Sequence, residues 1–238
     1  MAHPRDADIE FDEPAHKYTV NGCTDFTSVT TFIGGLFTTF DPDAVIAKMV
    51  KGKNWKSSKY FGMEPEAIKK QWADAGTEAS SEGTKMHEAI ELYYKEGKPG
   101  PPTPEFGQFL DFAAQCKWTP LRSEWRVYHE DIKIVGTIDM VFGLPDGRVA
   151  IYDWKRTKQL DKNDNWGKRS THPALAHIPD TNYWHYALQL NLYQFVLEAK
   201  YGLVVAERML VCFHPTRQCY ELAEVPDLQT DIKAVFSL

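Results

Sequence analysis

The spacing of apolar residues changes along the chain, from a helical pattern to an alternating one. In residues 105–116, aromatic and aliphatic side chains recur every three or four positions, as on one face of a helix. In residues 121–129, apolar and polar residues alternate around Trp125 and Val127, as in a half-buried strand. The same criteria predict helices over 29–32, 41–78, 80–95 and 183–201 and from 227 onward, and strands within 9–20, over 121–129, 132–142, 149–155 and 208–214 and near Tyr220.

Turn and cap residues set the predicted boundaries. Ser28 is placed to cap the helix over 29–32, and Asp41-Pro42 is a typical helix start. Asp146-Gly147 predicts a tight hairpin between two strands of the middle region. Residues 158–182 are polar and long for a loop, which favours a mobile or substrate-facing segment.

The order of these elements predicts an α/β fold, with helices packed on a central mixed sheet. The length of 238 residues fits a single domain of this kind. We divide it into an N-terminal hairpin and helical region over residues 1–78 and a core over residues 79–238. The helix-like pattern at the end of the chain leaves open that the sequence is a piece of a longer protein.

Composition and charge narrow the class of protein. The net charge of −6 argues against a protein that binds polyanions through bulk charge, but acidic ligands in a cleft are compatible with local lysines along a groove. Residues 48–59 contain five lysines around Trp55. This stretch is either a solvated surface or a nucleic-acid contact arm.

The cysteines and the N-terminus indicate where the protein works. Four cysteines are present without any C-x-x-C pair, which argues against a zinc ribbon. The polar, acidic N-terminus lacks the features of a signal or transit peptide, and no apolar run is long enough to span a membrane. We therefore expect a soluble, intracellular protein that does not engage membranes.

Three charged residues of the β-rich middle suggest a metal centre. Asp139 lies near the end of one predicted strand, and Asp153 and Lys155 share one face of the next. Two adjacent carboxylates stay ionised most easily when a cation lies between them, and Mg²⁺ or Mn²⁺ prefers such oxygen ligands. The alternative is a strand-end turn cap beside a surface ion pair, and spacing alone does not decide between the two.

Two further motifs extend the pattern on either side of these residues. Gly83-Thr84-Lys-Met-His87 lies on a predicted helix, where His87 and Glu91 share a face. Gln189-Leu-Asn-Leu-Tyr193 lies on the long helix after the strands, where Gln189 and Tyr193 also share a face. Each helix taken alone is equally compatible with ordinary packing.

Taken together, these motifs resemble the PD-(D/E)XK nuclease superfamily and its RecB-like exonuclease branch, over roughly residues 80–215. The N-terminal region is loosely similar to viral and mitochondrial exonucleases of that branch, which is consistent with a virus- or phage-encoded protein. Residues 1–78 would then form a substrate-binding region, and residues 79–238 would form the catalytic core. The resemblance implies a restriction-endonuclease-like α/β sandwich that hydrolyses phosphodiester bonds of DNA. Some relatives hold an iron–sulfur cluster with four cysteines, but the cysteine pattern departs here, and we expect no cluster.

The resemblance also implies roles for individual residues. The metal ligands would be His87, Asp139, Asp153 and the backbone carbonyl of Trp154, around one or two Mg²⁺ or Mn²⁺ ions. Lys155 would position the attacking water, Gln189 would contact that lysine or a phosphate, and Tyr193 would sit at the substrate. Glu91 and Glu124 are expected in supporting roles, and the candidate nucleic-acid contacts are Lys51, Lys53, Trp55, Lys56, Arg156, Lys158 and Trp166.

Several alternatives remain at this level. The expected activity is that of an exonuclease on single-stranded DNA or DNA ends, in replication, repair or recombination, together with partner proteins of those processes. An endonuclease or a double-strand 5′ exonuclease of the same fold would carry the same motifs. A nuclease fold that only binds nucleic acid is the alternative from another class, and the intact Asp139, Asp153 and Lys155 argue against it.

Overall fold

The computed structural model describes residues 3–164 and 167–237, which form two compact units. The larger unit contains Met1–Thr38 and Met86–Leu238, and the smaller one contains Thr39–Lys85. Among the described residues, none of the helices is long and apolar enough to cross a membrane. The predicted role of residues 1–78 in binding substrate remains a proposal.

The helices and strands follow the predicted order closely. The strands are β1 (Ile9–Asp12), β2 (Lys17–Val20), β3 (Thr27–Ser28), β4 (Thr119–His129), β5 (Ile134–Gly143), β6 (Val149–Arg156), β7 (Val205–Phe213) and β8 (Glu221–Glu224). The helices are α1 (Val29–Gly35), α2 (Pro42–Val50), α3 (Pro65–Glu96), α4 (Pro104–Gln115), α5 (Asn182–Lys200) and α6 (Gln229–Val235), with short 3-10 turns at Pro4–Asp8, Trp55–Ser57 and Pro173–Leu175.

One part of the helix prediction was wrong. The predicted helix over 41–78 ends instead at Val50, and the next helix runs without a break from Pro65 to Glu96. The helix start predicted at Ser80 therefore does not exist, and Gly83 lies inside α3. A glycine inside a helix costs only about 1 kcal/mol relative to alanine, which the rest of this long helix can offset.

The capping predictions agree with the structure. The Ser28 hydroxyl accepts a hydrogen bond of 3.1 Å from the Thr31 backbone N–H at the start of α1. The Asp41 carboxylate accepts hydrogen bonds from the Asp43 and Ala44 N–H groups at the start of α2. Both side chains replace backbone partners that the first helical turn lacks.

A mixed, six-stranded sheet forms the centre of the larger unit. β4 pairs antiparallel with β5 along one edge of β5, β6 pairs parallel with β7, and β7 pairs antiparallel with β8. α1, α5 and α6 cover one apolar face, and α4 with the end of α3 covers the other. This arrangement confirms the predicted sandwich. β1 and β2 form the predicted hairpin as a separate two-stranded sheet.

Candidate active site

The sheet opens at the middle of β5. On the edge opposite β4, β3 pairs with Ile134 and Val135, whereas β6 pairs with β5 only from Met140 to Gly143. Over the described residues, no strand pairs with residues 136–139 on that edge. Beyond Tyr152, β6 leaves β5 and continues beside β7. The two strands therefore separate at the point where their acidic residues stand.

Asp139 and Asp153 face each other across this opening. Both are buried, with exposed fractions of 8% and 2%. An Asp139 carboxylate oxygen accepts a hydrogen bond of 2.8 Å from the Trp154 backbone N–H, which fixes its orientation. The Trp154 indole points to the other face of β6 and packs against the aromatic residues Phe109 and Phe112 of α4. The alternation along β6 thus places Asp153 and Lys155 together, as predicted.

His87 and Glu124 approach Asp139 from α3 and β4. The His87 Nδ1 atom lies 3.7 Å from a carboxylate oxygen of Glu124 and 3.7 Å from one of Asp139. The other ring nitrogen lies 2.9 Å from the carbonyl oxygen of Trp154. The four groups predicted from the sequence as metal ligands or supporting residues in this region therefore converge on one point.

The Glu124 backbone has a φ of 46°, in the left-handed region that glutamate rarely adopts. The flanking residues Ser123 and Trp125 pair regularly with Met140 and Ile138, so Glu124 stands level with Asp139. Strain of this kind costs about 1–3 kcal/mol and is concentrated at functional sites. The left-handed conformation of Glu124 therefore occurs at the point of β4 that lies beside Asp139.

Burial and mutual charge strongly perturb the ionisation of this cluster. Burial lowers the pKa of His87, but the carboxylates of Asp139 and Glu124 outweigh it and raise that pKa to about 9. Burial raises the pKa of Asp153 to about 6, although Lys155 opposes the rise. Burial also raises the pKa of Asp139, against the opposing charge of His87. Without a bound cation, the site therefore tends to hold protons.

Lys155 remains a cation in this setting. Burial lowers its pKa, but the charges of Asp153 and Asp139 outweigh burial, and the net pKa is raised. Its Nζ lies 2.6 Å from a carboxylate oxygen of Asp153 and 4.5 Å from the ring centre of Tyr186. A permanently protonated amine suits a group that donates hydrogen bonds to water or to a phosphate oxygen.

Gln189 on α5 links the two charged residues of β6. Its amide nitrogen donates a hydrogen bond of 3.1 Å to Asp153, and its amide oxygen accepts one of 3.4 Å from Lys155. The contact with the lysine is one of the two alternatives that the resemblance implied. Gln189 therefore orients both groups at the opening of the sheet.

Tyr193 lies one turn further along α5, but it is buried, with 3% of its surface exposed. A Cβ atom added at Gly136 would lie 2.8 Å from the tyrosine hydroxyl oxygen, so only glycine lets the ring approach β5 this closely. This burial favours a positioning role over the substrate contact that the resemblance implied.

The donor set fits a divalent cation. Ligand atoms of His87, Glu124 and Asp139 all lie within 4.8 Å of one another, which is close to the spacing around one ion. One Asp153 oxygen is buried, with the Lys155 ammonium 2.6 Å away as its charged neighbour. With neutral His87, three carboxylates and one lysine carry a net charge of −2, which one divalent ion neutralises.

Tyr186 and Glu124 are more central than the sequence indicated. Tyr186 contacts Lys155 but carried no motif; its position three residues before Gln189, on the same helix face, is the signal that could have identified it. Glu124 was expected in a supporting role, and its carboxylate lies within 4.8 Å of ligand atoms of His87 and Asp139. Glu91, the other expected supporting residue, forms an ion pair with Lys95.

The candidate nucleic-acid contacts lie in several places. Lys51, Lys53 and Lys56 are exposed in the smaller unit, where Trp55 is half-buried. Arg156 ends β6 and donates a hydrogen bond of 2.8 Å to the buried Glu105, so its charge is already paired. Lys158 is exposed in the loop that follows β6, and Trp166 lies outside the described residues.

Known proteins resemble this chain at the level of a family and of the fold. The family model described as the PD-(D/E)XK nuclease superfamily matches residues 104–235, more than half of the chain. A search of curated proteins found no significant match. An alkaline exonuclease from Laribacter hongkongensis aligns over 90% of this chain and 83% of its own, with 8% identity and a TM-score of 0.44. An inferred exonuclease from Eubacterium rectale aligns over 89% and 77%, with 13% identity and a TM-score of 0.39.

The fold and the acidic, lysine-bearing opening in the sheet define a metal-dependent nuclease. The chain belongs to the PD-(D/E)XK nuclease superfamily, as the family match shows. This confirms the family that the sequence motifs indicated, and the match covers Asp139, Asp153, Lys155 and Gln189. His87 lies before the matched segment and joins the site through α3.

Proposed function

We propose that the protein is an exonuclease that hydrolyses phosphodiester bonds at the ends of single-stranded DNA, with Mg²⁺ or Mn²⁺ as cofactor. The observation that carries this proposal is the convergence of His87, Glu124, Asp139, Asp153 and Lys155 at the opening between β5 and β6. The order of these residues along the chain is that of the RecB-like branch. Such an enzyme would act inside a cell, in DNA replication, repair or recombination.

The proposed mechanism assigns each group a separate task. His87, Glu124, Asp139, Asp153 and the Trp154 carbonyl would hold the ion or ions. When bound, a divalent ion activates water as a nucleophile and stabilises negative charge on the phosphate. Lys155 donates hydrogen bonds to the attacking water or to a phosphate oxygen, and its raised pKa keeps it protonated for this task. Gln189 holds the side chains of Lys155 and Asp153 in position through its two hydrogen bonds.

Cleavage assays with three substrates test the activity and separate the alternatives. End-labelled linear single strands, linear duplexes and closed single-stranded circles would each be incubated with Mg²⁺ or Mn²⁺. We expect the linear single strand to be shortened from its end and the circle to persist. Cutting of the circle would indicate an endonuclease, and preference for the duplex would indicate a double-strand exonuclease.

The Lys155→Ala variant ties any cleavage to this site. Loss of a single group that stabilises developing charge costs about 10²–10³ in rate, so the variant should be inactive on the assay timescale. Lys233→Ala, which removes an exposed lysine of α6, is the matched control and should cleave like the parent. Binding of DNA and metal without cleavage by the unsubstituted protein would instead support a nuclease fold that only binds nucleic acid.

We further propose that the smaller unit contacts the DNA strand. It presents exposed Lys51, Lys53 and Lys56 near Trp55 and Phe61, whose rings lie 5.9 Å apart with Phe61 55% exposed. Cationic side chains beside accessible aromatic rings suit a single strand, because bases stack on such rings in any sequence. Replacing the three lysines by glutamine should weaken binding and reduce its dependence on salt, by about 0.7 in logarithmic slope for each phosphate that is no longer neutralised.

A further inference from the structure

A pocket of about 330 Å³ opens beside the metal-ligand cluster, in the larger unit. Its lining includes Phe11 of the N-terminal hairpin, Arg126 of β4 and Thr137 of β5. The charged residues of the lining are the carboxylates Asp6, Glu13, Glu91 and Glu124 and the cations Lys95, Arg122 and Arg126. Pockets for small ligands have volumes from about 300 Å³ upward, so this one can accept a group the size of a nucleotide. Glu124 belongs to both the pocket lining and the candidate metal-ligand cluster, so the two sites adjoin at this residue.

Arg126 is the cation of this pocket that is not already paired. It stands two residues from Glu124 along β4 and is level with Thr137 of β5. Within the described residues, no carboxylate lies within ion-pair distance of Arg126. The other two cations of the lining have acidic partners: Arg122 pairs with Asp6, and Lys95 pairs with Glu91. Arg126 is therefore available to a ligand anion.

The hairpin supplies aromatic surface next to this arginine. The guanidinium carbon of Arg126 lies 5.7 Å from the ring centre of Phe11, and that ring lies 4.4 Å from the ring of Tyr18. The Tyr18 hydroxyl lies 2.9 Å from the Thr137 hydroxyl, which joins the hairpin to β5. The hairpin is thereby fixed against the strands that carry Glu124 and Asp139.

Electrostatics agree with this placement. Burial raises the pKa of Tyr18, against the opposing effects of the Thr137 hydrogen bond and the charge of Arg126, and the charges of Glu124 and Asp139 add a smaller rise. The tyrosine hydroxyl therefore lies within electrostatic reach of both the acidic cluster and the arginine.

We propose that this pocket binds one nucleotide of the DNA strand, with Arg126 on the phosphate next to the one that is cleaved and Phe11 against the base. An arginine fork binds two phosphate oxygens at once, and an aromatic ring accepts any base, so the pocket recognises a nucleotide without reading its identity. The inference rests on the proposed nuclease function. It makes the hairpin, which lies before the family match, part of the substrate site.

Binding of small ligands to the metal-free protein tests this inference independently of cleavage. Deoxyadenosine monophosphate, deoxyadenosine and inorganic phosphate would be titrated in the presence of EDTA, with binding followed by ligand-observed NMR. We expect the monophosphate to bind at least about tenfold more tightly than the nucleoside, because only it offers a charged partner to Arg126. Equal binding of nucleoside and monophosphate, or no binding of the monophosphate, would overturn the proposal.

Variants assign the binding to the two named side chains. Arg126→Gln should weaken the monophosphate about tenfold or more without changing the weak binding of the nucleoside. Phe11→Leu should weaken both ligands about fivefold or more, because it removes the ring but keeps apolar volume. Arg148→Gln, which removes an arginine from the exposed hairpin turn after β5, is the matched control and should bind like the parent.

Folding and activity measurements keep the result interpretable. Thermal unfolding would be recorded for each variant, and Arg126→Lys would replace Arg126→Gln if the glutamine variant does not fold. The lysine keeps the positive charge but loses the two-pronged guanidinium, so we expect a smaller loss of affinity for the monophosphate. In cleavage assays, Arg126→Gln should raise KM more than it lowers kcat. If the parent cleaves DNA and Arg126→Gln has an unchanged KM, the nucleotide-binding proposal is wrong and the nuclease proposal stands. If nucleotide binding depends on Arg126 but no cleavage occurs, the nuclease proposal is wrong and the binding proposal stands.

Discussion

The side-chain amide of Gln189 donates a hydrogen bond of 3.1 Å to Asp153, and the same amide accepts one of 3.4 Å from Lys155. A glutamine is suited to this place because it offers a donor to the carboxylate and an acceptor to the ammonium. A glutamate would add a fourth negative charge to the three carboxylates of the site, and a lysine would repel Lys155. The long helix α5 thus sets the geometry of the β6 residues from outside the sheet.

Replacing Gln189 by leucine should lower kcat about 10–100-fold, the usual effect of removing a group that orients metal ligands. The fold should persist, since leucine fills a similar volume in a buried position. Initial rates of oligonucleotide cleavage would measure the effect. The matched control is Gln115→Leu at the exposed end of α4, where the amide donates a hydrogen bond to the Asp111 carbonyl of the same helix. Equal rates in both variants would show that the Gln189 bridge has no catalytic role.

Glu124→Gln should weaken binding of Mn²⁺ about tenfold or more, because it removes a charged oxygen from the ligand cluster. Titration of Mn²⁺ by calorimetry or electron paramagnetic resonance would measure the affinity. Glu91→Gln is the comparison, because Glu91 lies on the same helix as His87 but pairs with Lys95 outside the cluster. We expect it to change the affinity by less than about threefold; a larger loss in Glu91→Gln than in Glu124→Gln would reverse the assignment.

The stability of the metal-free protein should fall as the pH rises from about 6.5 to about 9. The pKa of His87 is raised from 6.5 to about 9, so the folded state binds this proton more tightly than the unfolded state does. The stabilisation is therefore complete below pH 6.5 and is lost as the pH passes 9. Glu124 and Asp139 raise this pKa, whereas burial and Lys155 oppose the rise.

Urea unfolding in EDTA over that pH range would test this dependence. His87→Asn should flatten it, and His177→Asn, which removes an exposed histidine beside Asp231, should not. Added Mg²⁺ should stabilise the parent most at the alkaline end, where the imidazole is free to bind. A parent protein whose stability is constant from pH 6.5 to 9 would contradict the assigned charge of His87.

Gly136→Ala should destabilise the fold by about 1–3 kcal/mol, the usual cost of overpacking. The added Cβ would lie 2.8 Å from the Tyr193 hydroxyl oxygen and 2.9 Å from a ring carbon, so the ring or β5 must move. We expect Gly107→Ala in α4 to have the opposite effect on stability, because nothing lies within 4 Å of its added Cβ. It should stabilise by about 0.5–1 kcal/mol through helix propensity. Thermal unfolding of both variants tests these two expectations, and cleavage would also be measured for Gly136→Ala. If Gly136→Ala leaves the stability unchanged, the Tyr193 ring moves freely.

Much of the fold was predictable because its signals are local. The alternation around Trp125 and the Asp146-Gly147 turn predict neighbouring strands, and both occur. The failure at Ser80 has the same origin: serine and glycine favour a boundary locally, but α3 continues through them as one helix. Tertiary context can override propensities of this size, which amount to about 1 kcal/mol.

The family could be recognised from the chain alone, because His87, Asp139 and Asp153-x-Lys155 occur in a characteristic order along the sequence. The separation of β6 from β5 beside Asp139 could not be predicted from the sequence, because strand pairing depends on partners far apart in the chain. The same is true of Glu124, whose left-handed backbone and place among the ligands follow from the strand opposite it.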